Sequence, residues 1–165
     1  MRITVRKFCE QDIDNKIRWI NDPANHRYLH YALPLNREDT ERWYRRVRDA
    51  ADRFDGVILA DGVPCGLIGL LHIDDRNRKA EFYIVVGESS MKRQGIAWEA
   101  SLWLLRYAFA ELGLHRIYLY TETGNLPAQG LFEKLGFIRE GTLVDDVWNN
   151  GAFADRFLYA MTHSP

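Results

Sequence analysis

The sequence contains little of what would mark a metal protein, an exported protein or a nucleic-acid binder. Its 165 residues include only two cysteines, Cys9 and Cys65, whose spacing fits no metal or redox motif. The polar start, residues 1–7, does not resemble a signal peptide, so we expect reduced thiols, no bound metal and a cytoplasmic location. With 22 Lys and Arg against 23 Asp and Glu, a formal net charge of −1 predicts no nucleic-acid partner.

Long apolar runs are also missing. No stretch approaches the ~20 apolar residues that cross a bilayer, so no membrane partner is expected. Apolar residues make up 47% of the chain, which is ordinary for a soluble globular protein. The length suits one domain with a real core and is short for two, so we expect a single domain over residues 1–165. The sequence leaves open whether the protein is a monomer or a homodimer.

The hydrophobic periodicity predicts an α/β fold. Strands and helices alternate, with capping residues and turn signals at their boundaries. The predicted elements, in chain order, are a strand at 3–5, a helix at 12–20, an Asn36-capped helix to about Ala51, a hairpin around Asp61-Gly62 (57–60 and 63–73), a strand at 80–86, a helix at 96–112, a strand at 116–121, a helix from Asn125 to Leu135, and strands at 137–139 and 156–160.

A basic, glycine-containing turn joins the predicted strand 80–86 to the long helix that follows. It reads Lys92-Arg93-Gln94-Gly95-Ile96-Ala97. The first N–H groups of a helix lack internal partners and lie at the positive end of its dipole, so such a turn can bind an anion. We interpret it as a pyrophosphate site, although many strand–turn–helix junctions of this composition bind nothing.

Two long motifs in this order resemble the GNAT superfamily of N-acetyltransferases, which use acetyl-CoA. One is the turn 92–97, and the other is Asn125-Leu126-Pro127-Ala128-Gln129-Gly130-Leu131-Phe132-Glu133-Lys134-Leu135-Gly136-Phe137. In addition, Trp19-Ile20-Asn21-Asp22-Pro23 resembles a segment of the RimJ/RimL-like branch. That branch includes acetyltransferases of amino-sugar nucleotides, such as those of pseudaminic acid synthesis.

The resemblance implies a central, mostly antiparallel sheet that splays between its fourth and fifth strands and is flanked by about four helices. Acetyl-CoA would enter this gap as an added strand does. The cofactor-binding residues that the resemblance implies are Val85, Val86, Lys92, Arg93, Gln94, Gly95, Ile96, Ala97, Asn125 and Phe132. Asn125 would contact acetyl-CoA near its thiol end, which also makes it a candidate catalytic residue.

The sequence departs from the family pattern in the loop and at the expected proton donor. Lys92 replaces the usual Gln or Arg, and Arg93 replaces a frequent Gly, but the backbone supplies the main phosphate contacts. Phe132 stands where a Tyr is common, and Ala128 stands where RimL-like members often have Ser. Both usual donors to the CoA thiolate are therefore missing, which leaves Tyr83 and Tyr120 as weak candidates.

Acetyl transfer needs a neutral amine, so a base must remove a proton from an alkyl ammonium whose pKa is ~10. Glu81 is the preferred candidate, because apolar neighbours in its strand would raise its pKa. The alternative is a structural carboxylate paired with Arg78 or Arg116. A histidine, His30 before His26 or His72, is a second candidate for the base or for a substrate contact.

The acceptor is expected to lie between the segment after the first helix, the second helix and the last hairpin. The substrate-binding candidates are Trp19, His30, Tyr31, Trp148 and Asp155. We favour the amine of an amino sugar or its nucleotide, because that segment is aromatic and no acidic run is present to recruit a polyamine. The alternatives are a protein N-terminal amine, as in RimJ/RimL-like relatives, and a non-catalytic acetyl-CoA-binding module.

Overall fold

A seven-stranded mixed sheet forms the centre of the computed structural model, which describes residues 1–163. Its strands are β1 (Ile3–Lys7), β2 (Phe54–Ala60), β3 (Val63–Asp74), β4 (Lys79–Val86), β5 (Arg116–Glu122), β6 (Ile138–Asn149) and β7 (Ala152–Thr162). Their order in the sheet is β1-β2-β3-β4-β5-β7-β6. Every neighbouring pair is antiparallel except β4 and β5, which are parallel.

Four α-helices lie in the described residues: α1 (Ile13–Asn21), α2 (Arg37–Val47), α3 (Ile96–Arg106) and α4 (Leu126–Leu135). Their boundaries follow local sequence signals. The Asn36 side chain accepts a hydrogen bond from the Asp39 N–H at the start of α2, as the capping pattern predicted. Gly136 ends α4 with a φ of 102°, a left-handed conformation that glycine adopts without strain.

The two faces of the sheet carry two hydrophobic clusters. One face packs against α3 and α4, through residues such as Phe82, Ile96 and Leu104. The other packs against α1 and α2, through residues such as Ile13 and Trp19. The predicted α/β fold, with a mixed and mostly antiparallel sheet and four flanking helices, is therefore confirmed.

Strands β4 and β5 separate soon after they begin. Only residues 79–81 of β4 pair with residues 116–118 of β5, and the last pair joins Glu81 to Tyr118. The rest of β4, residues 82–86, keeps its pairing with β3 but has none with β5. This confirms the predicted splay and leaves one side of β4 with free backbone hydrogen-bonding groups.

Three boundaries differ from the sequence prediction. The second helix ends at Val47 rather than at about Ala51. The helix predicted to reach Leu112 is α-helical only to Arg106 and continues as a π-helical turn to Glu111. The last two strands are much longer than the predicted 137–139 and 156–160. Most residues of β6 are exposed and bulges interrupt its register, so it has no clear hydrophobic alternation to reveal it.

Candidate active site

The gap between β4 and β5 is shaped to receive an extended ligand. The backbone of residues 82–86 has no strand partner on that side, and the side chains of Val85 and Val86 are half-buried beside it. An unpaired strand edge binds extended molecules through its N–H and C=O groups, as added peptide strands do. The gap can therefore hold the amide-containing arm of a pantetheine.

The turn after β4 presents bare backbone at the start of α3. Arg93 and Gly95 have positive φ values of 63° and 79°. Gly95 is the N-cap, and no side chain caps the helix. A Cβ placed on Gly95 would meet no atom within 4 Å, so the space in front of the helix is open. Free N–H groups beside open space and the positive end of a helix dipole fit a pyrophosphate.

An open cavity of about 640 Å³ continues from this turn between α3 and α4. It is lined by Arg93, Trp98, Pro127, Gly130, Leu131 and Lys134. The aromatic and aliphatic surfaces can contact a nucleotide base, and the two cationic side chains can neutralise phosphate. The residues present therefore fit the nucleotide end of acetyl-CoA.

Two side chains of the turn are occupied by protein groups. The Lys92 ammonium donates to the Ala24 carbonyl at 3.2 Å and to the Asn25 side-chain oxygen at 2.5 Å. The Gln94 amide donates to the Ser90 carbonyl at 2.8 Å. The cofactor roles predicted for these two side chains stay predictions, and the exposed Arg93 is the side chain best placed to meet a phosphate.

Two other predicted cofactor residues have clear structural roles. The Asn125 side-chain oxygen accepts the Ala128 N–H at 3.3 Å and so caps α4, while its amide N–H groups remain available. Phe132 is 6% exposed, and its ring packs against Phe82 and Phe137. The hydrophobic core thus accommodates a phenyl ring at the position where family members often place a tyrosine hydroxyl.

Glu81 is half-buried at the point where β4 and β5 separate. Neither pairing proposed as its structural role is formed, because Arg78 donates to the Gly113 carbonyl and Arg116 forms a bidentate pair with Glu140. Burial raises the pKa of the Glu81 carboxyl, and the positive charges of His72 and Arg156 partly oppose this shift. A carboxylate with a raised pKa and no bound cation is suited to accept a proton.

Tyr83 lies on the same face of β4 as Glu81. Its hydroxyl donates to the Asp55 carboxylate at 2.6 Å, and Arg53 holds that carboxylate in a bidentate pair. Burial, together with the negative charge of Asp55, raises the pKa of Tyr83 well above its usual range. This contact favours a structural role for Tyr83 over the predicted role as proton donor.

Trp19 and Tyr31, both predicted to bind the acceptor, occupy different environments. Trp19 is 1% exposed, its indole N–H donates to Glu88 at 2.8 Å, and its ring fills the space beside Gly87. This burial favours a core role for Trp19, in which it anchors the turn after β4, over the predicted acceptor contact. Tyr31 is partly exposed in the segment between α1 and α2.

The other candidates lie near the last hairpin. Trp148 is 64% exposed and packs edge-on against Phe153, so its ring is available for contact. The Asp155 carboxylate accepts the Asp145 backbone N–H at 2.7 Å, which favours a role in shaping the hairpin over the predicted acceptor contact.

His30 is joined to two residues that the sequence reasoning missed. Its Nε2 lies 2.8 Å from the Glu122 carboxylate, and the Asn149 amide donates to the same carboxylate at 2.7 Å. Asn149 also donates to the Arg27 carbonyl, which ties the α1–α2 segment to the hairpin. The only sequence signal for Glu122 is an acidic residue at the end of a strand whose middle, residues 117–120, is apolar and aromatic.

Within residues 1–163, no three or more His, Cys, Asp or Glu side chains are grouped so that they could hold a metal ion. In the same range, no helix combines the length and hydropathy needed to cross a lipid bilayer.

Comparison with known proteins links this geometry to a chemical reaction. Residues 2–138 match the family described as the acetyltransferase (GNAT) domain. YdaF of Bacillus subtilis, whose name provisionally assigns it to the ribosomal N-acetyltransferases, is 32% identical over 168 residues, which cover 96% of this chain and 90% of YdaF. Spermidine N(1)-acetyltransferase of Vibrio cholerae is 34% identical over 115 residues, or 70% of this chain and 66% of that protein.

The fold is also similar to that of solved N-acetyltransferase structures. The crystal structure of spermidine N-acetyltransferase from Vibrio cholerae, in complex with CoA and spermine, superimposes with a TM-score of 0.92 at 26% identity. The superposition covers 97% of this chain and 95% of the other. A related structure of the Vibrio cholerae protein is described as dodecameric.

Proposed function

The chain belongs to the GNAT acetyltransferase family and is an N-acetyltransferase with acetyl-CoA as donor, and from this premise we propose that its acceptor is the primary amine of an amino sugar or its nucleotide. The observation that carries the proposal is the composition of the α1–α2 segment, residues 22–36. Beyond Asp22 it contains no carboxylate, whereas it does contain His26, Arg27 and His30. A segment with one arginine, two histidines and a single carboxylate favours an acceptor that is not a polycation.

Aromatic and amide side chains around the proposed acceptor site support the same class. Trp148 and Phe153 expose large ring surfaces at the turn of the hairpin, and Asn149 brings an amide group next to them. Sites for small polar ligands combine such aromatic surface with a few oriented hydrogen-bonding groups. An amino sugar offers both a ring face to pack on the aromatic side chains and hydroxyl groups for the polar ones.

The proposed reaction is a direct transfer. The acceptor amine attacks the acetyl carbonyl carbon, a C–N bond forms, and the C–S bond breaks to release CoA as a thiolate. Glu81 accepts the proton that the amine loses, either directly or through one water molecule. A thiolate is a good leaving group that solvent can protonate, so Phe132 in place of a hydroxyl donor is compatible with turnover.

A polyamine is the second candidate acceptor, since several relatives are named as spermidine acetyltransferases. A polyamine carries several positive charges, and the sites that bind it need carboxylates. Within residues 22–36 of this chain Asp22 is the only carboxylate, so the α1–α2 segment itself supplies a polyamine with few charged partners. The name of YdaF likewise suggests a protein N-terminal amine, which would need an open groove for a peptide.

The test is a panel of amines assayed for acetyl-CoA-dependent thiol release, with the product mass confirmed. The panel contains amino-sugar nucleotides, free amino sugars, aminoglycosides, spermidine, spermine and peptides with free N-termini. We expect the best amino-sugar acceptor to exceed spermidine in kcat/KM by about 100-fold, because differential binding of polar groups reaches such ratios. A preference for spermidine or for a peptide would overturn the proposed acceptor class while leaving the N-acetyltransferase assignment in place.

A further inference from the structure

A buried carboxylate with one available oxygen lies on the proposed acceptor side of the sheet. Glu122 is 8% exposed, and both donors described above, His30 and Asn149, contact the same oxygen, Oε2. Within residues 1–163, no hydrogen-bond donor contacts the other oxygen, Oε1. Among the side-chain nitrogen and oxygen atoms of this range, Ser101 Oγ is the only one that is fully buried and has no hydrogen-bond partner, so Oε1 retains some accessible surface.

Oε1 of Glu122 thus has hydrogen-bonding capacity that residues 1–163 do not satisfy. Burial of an ionised group is costly unless its lone pairs are satisfied, and a partly satisfied buried carboxylate attracts any donor that can reach it. The Glu122 side chain is also held in place, because His30 and Asn149 belong to two different parts of the chain. Its free oxygen is therefore both exposed to a ligand and fixed in position.

Glu122 lies on the same face of the sheet as the proposed base, Glu81. Tyr118, Tyr120 and Glu122 point to the same face of β5, and Tyr118 is the residue paired with Glu81. Glu122 lies four residues farther along the strand, which is about 13 Å at 3.3 Å per residue. That distance is longer than a single sugar ring, so an acceptor that reaches both carboxylates must be extended, as an amino-sugar nucleotide is with the hydroxyl groups of its nucleoside.

We propose that Glu122 Oε1 binds a hydrogen-bond-donating group of the acceptor, a hydroxyl in the case of an amino sugar, and so fixes the amine relative to Glu81. This inference rests on the proposed function and names a contact within that site. His30 and Asn149 are positioning residues, because they hold the carboxylate through Oε2 and leave Oε1 for the ligand. The α1–α2 segment and the hairpin thereby assemble one specificity-determining group.

Glu122→Gln separates binding from structure. Two donors face the Oε2 position, so the amide oxygen of Gln takes that place and its NH₂ group takes the place of Oε1. The internal contacts survive, and the free position changes from an acceptor to a donor. We expect the KM for the acceptor to rise by about 10–100-fold, the range for loss of a hydrogen bond to a charged group, while the KM for acetyl-CoA stays within about twofold.

Asn150→Ala is the matched control. Asn150 also donates to the Arg27 carbonyl, at 3.0 Å, but it does not contact Glu122. Loss of this link is expected to leave the acceptor KM within about twofold, since an exposed hydrogen bond contributes little. Thermal unfolding of both variants checks that the wild-type fold is kept.

A deoxy acceptor completes the test. Wild-type enzyme is expected to lose about 10-fold or more in kcat/KM when the contacting hydroxyl is removed, and Glu122→Gln is expected to lose little further. If the wild type acetylates amino sugars and Glu122→Gln has the same acceptor KM, the inference about Glu122 is overturned while the proposed function stands. Wild-type enzyme inactive on every amino sugar would overturn the proposed function first. A specific loss on spermidine would keep Glu122 as a binding group but assign it to an ammonium.

Discussion

The Glu81→Gln variant is expected to lose about 10²–10⁴-fold in kcat/KM for the acceptor, the usual contribution of a positioned general base. Gln keeps the size and polarity of the side chain but cannot take up a proton. Within residues 1–163 Glu81 forms no ion pair that the substitution would break, so the fold should tolerate it. Steady-state rates at saturating acetyl-CoA, with the acceptor varied, measure the loss.

The pH dependence of kcat/KM for the wild type and for Glu81→Gln tests the role of Glu81 as a base more specifically. The ionised form of Glu81 is the base, and burial raises its pKa above the ordinary 4.5, so wild-type kcat/KM is expected to rise with pH through that raised value. The kcat/KM of Glu81→Gln is expected not to show this rise, because Gln does not ionise. At pH values near the pKa of the acceptor, neutral amine becomes abundant without a base, and the gap between the enzymes narrows.

The matched control is Glu38→Gln, on the exposed surface of α2, where the side chain is 85% exposed. Its kcat/KM should equal that of the wild type. The role of Glu81 would be excluded by a variant with full turnover, and equally by a loss that came entirely from weaker acetyl-CoA binding.

The Gly95→Asp variant is expected to weaken acetyl-CoA binding by at least about 100-fold. Gly95 stands at the N-cap of α3 with nothing within 4 Å of its missing Cβ, so an Asp carboxylate would occupy the space assigned to the pyrophosphate. Two like charges about 4 Å apart near a protein surface repel by about 4 kcal/mol, before further losses from direct obstruction. Isothermal titration calorimetry with acetyl-CoA gives the dissociation constant.

Gly95→Asn provides a control of nearly identical shape. Asn, like Asp, tolerates the left-handed backbone and can cap a helix, but it carries no charge. We expect its dissociation constant to lie within about 10-fold of the wild type, and the gap between Asp and Asn to shrink at high salt. Equal losses for Asp and Asn would show that bulk, and not charge, matters at this position.

The sequence predicted the parts of the fold that depend on local signals. The Asn36 cap, the Asp61-Gly62 turn and the glycine after α4 each demand one backbone conformation, and the structure has all three. The length of the final hairpin was not predictable in this way. The edge strand β6 is exposed on both faces, and only its register with β7 defines it.

For the candidate site, too, local sequence signals were readable and long-range contacts were not. The turn 92–97 and Glu81 could be proposed from the sequence because each stands in a recognisable local pattern, and their roles stay predictions. Glu122 and Asn149 were missed because they become significant only through contacts over long sequence separations, with His30 and Arg27 respectively. Trp19 was proposed for the opposite reason: its aromatic side chain suggested a binding surface, whereas tertiary packing buries it against Gly87, which favours a core role.

A crystal structure of the protein with CoA and the best acceptor tests the central claim most directly. The account predicts the pantetheine arm along residues 82–86 of β4, the pyrophosphate on the N–H groups of residues 93–97, and the acceptor amine near Glu81. It also predicts an acceptor donor group on Glu122. CoA bound elsewhere, or an acceptor on the other face of the sheet, would contradict the account.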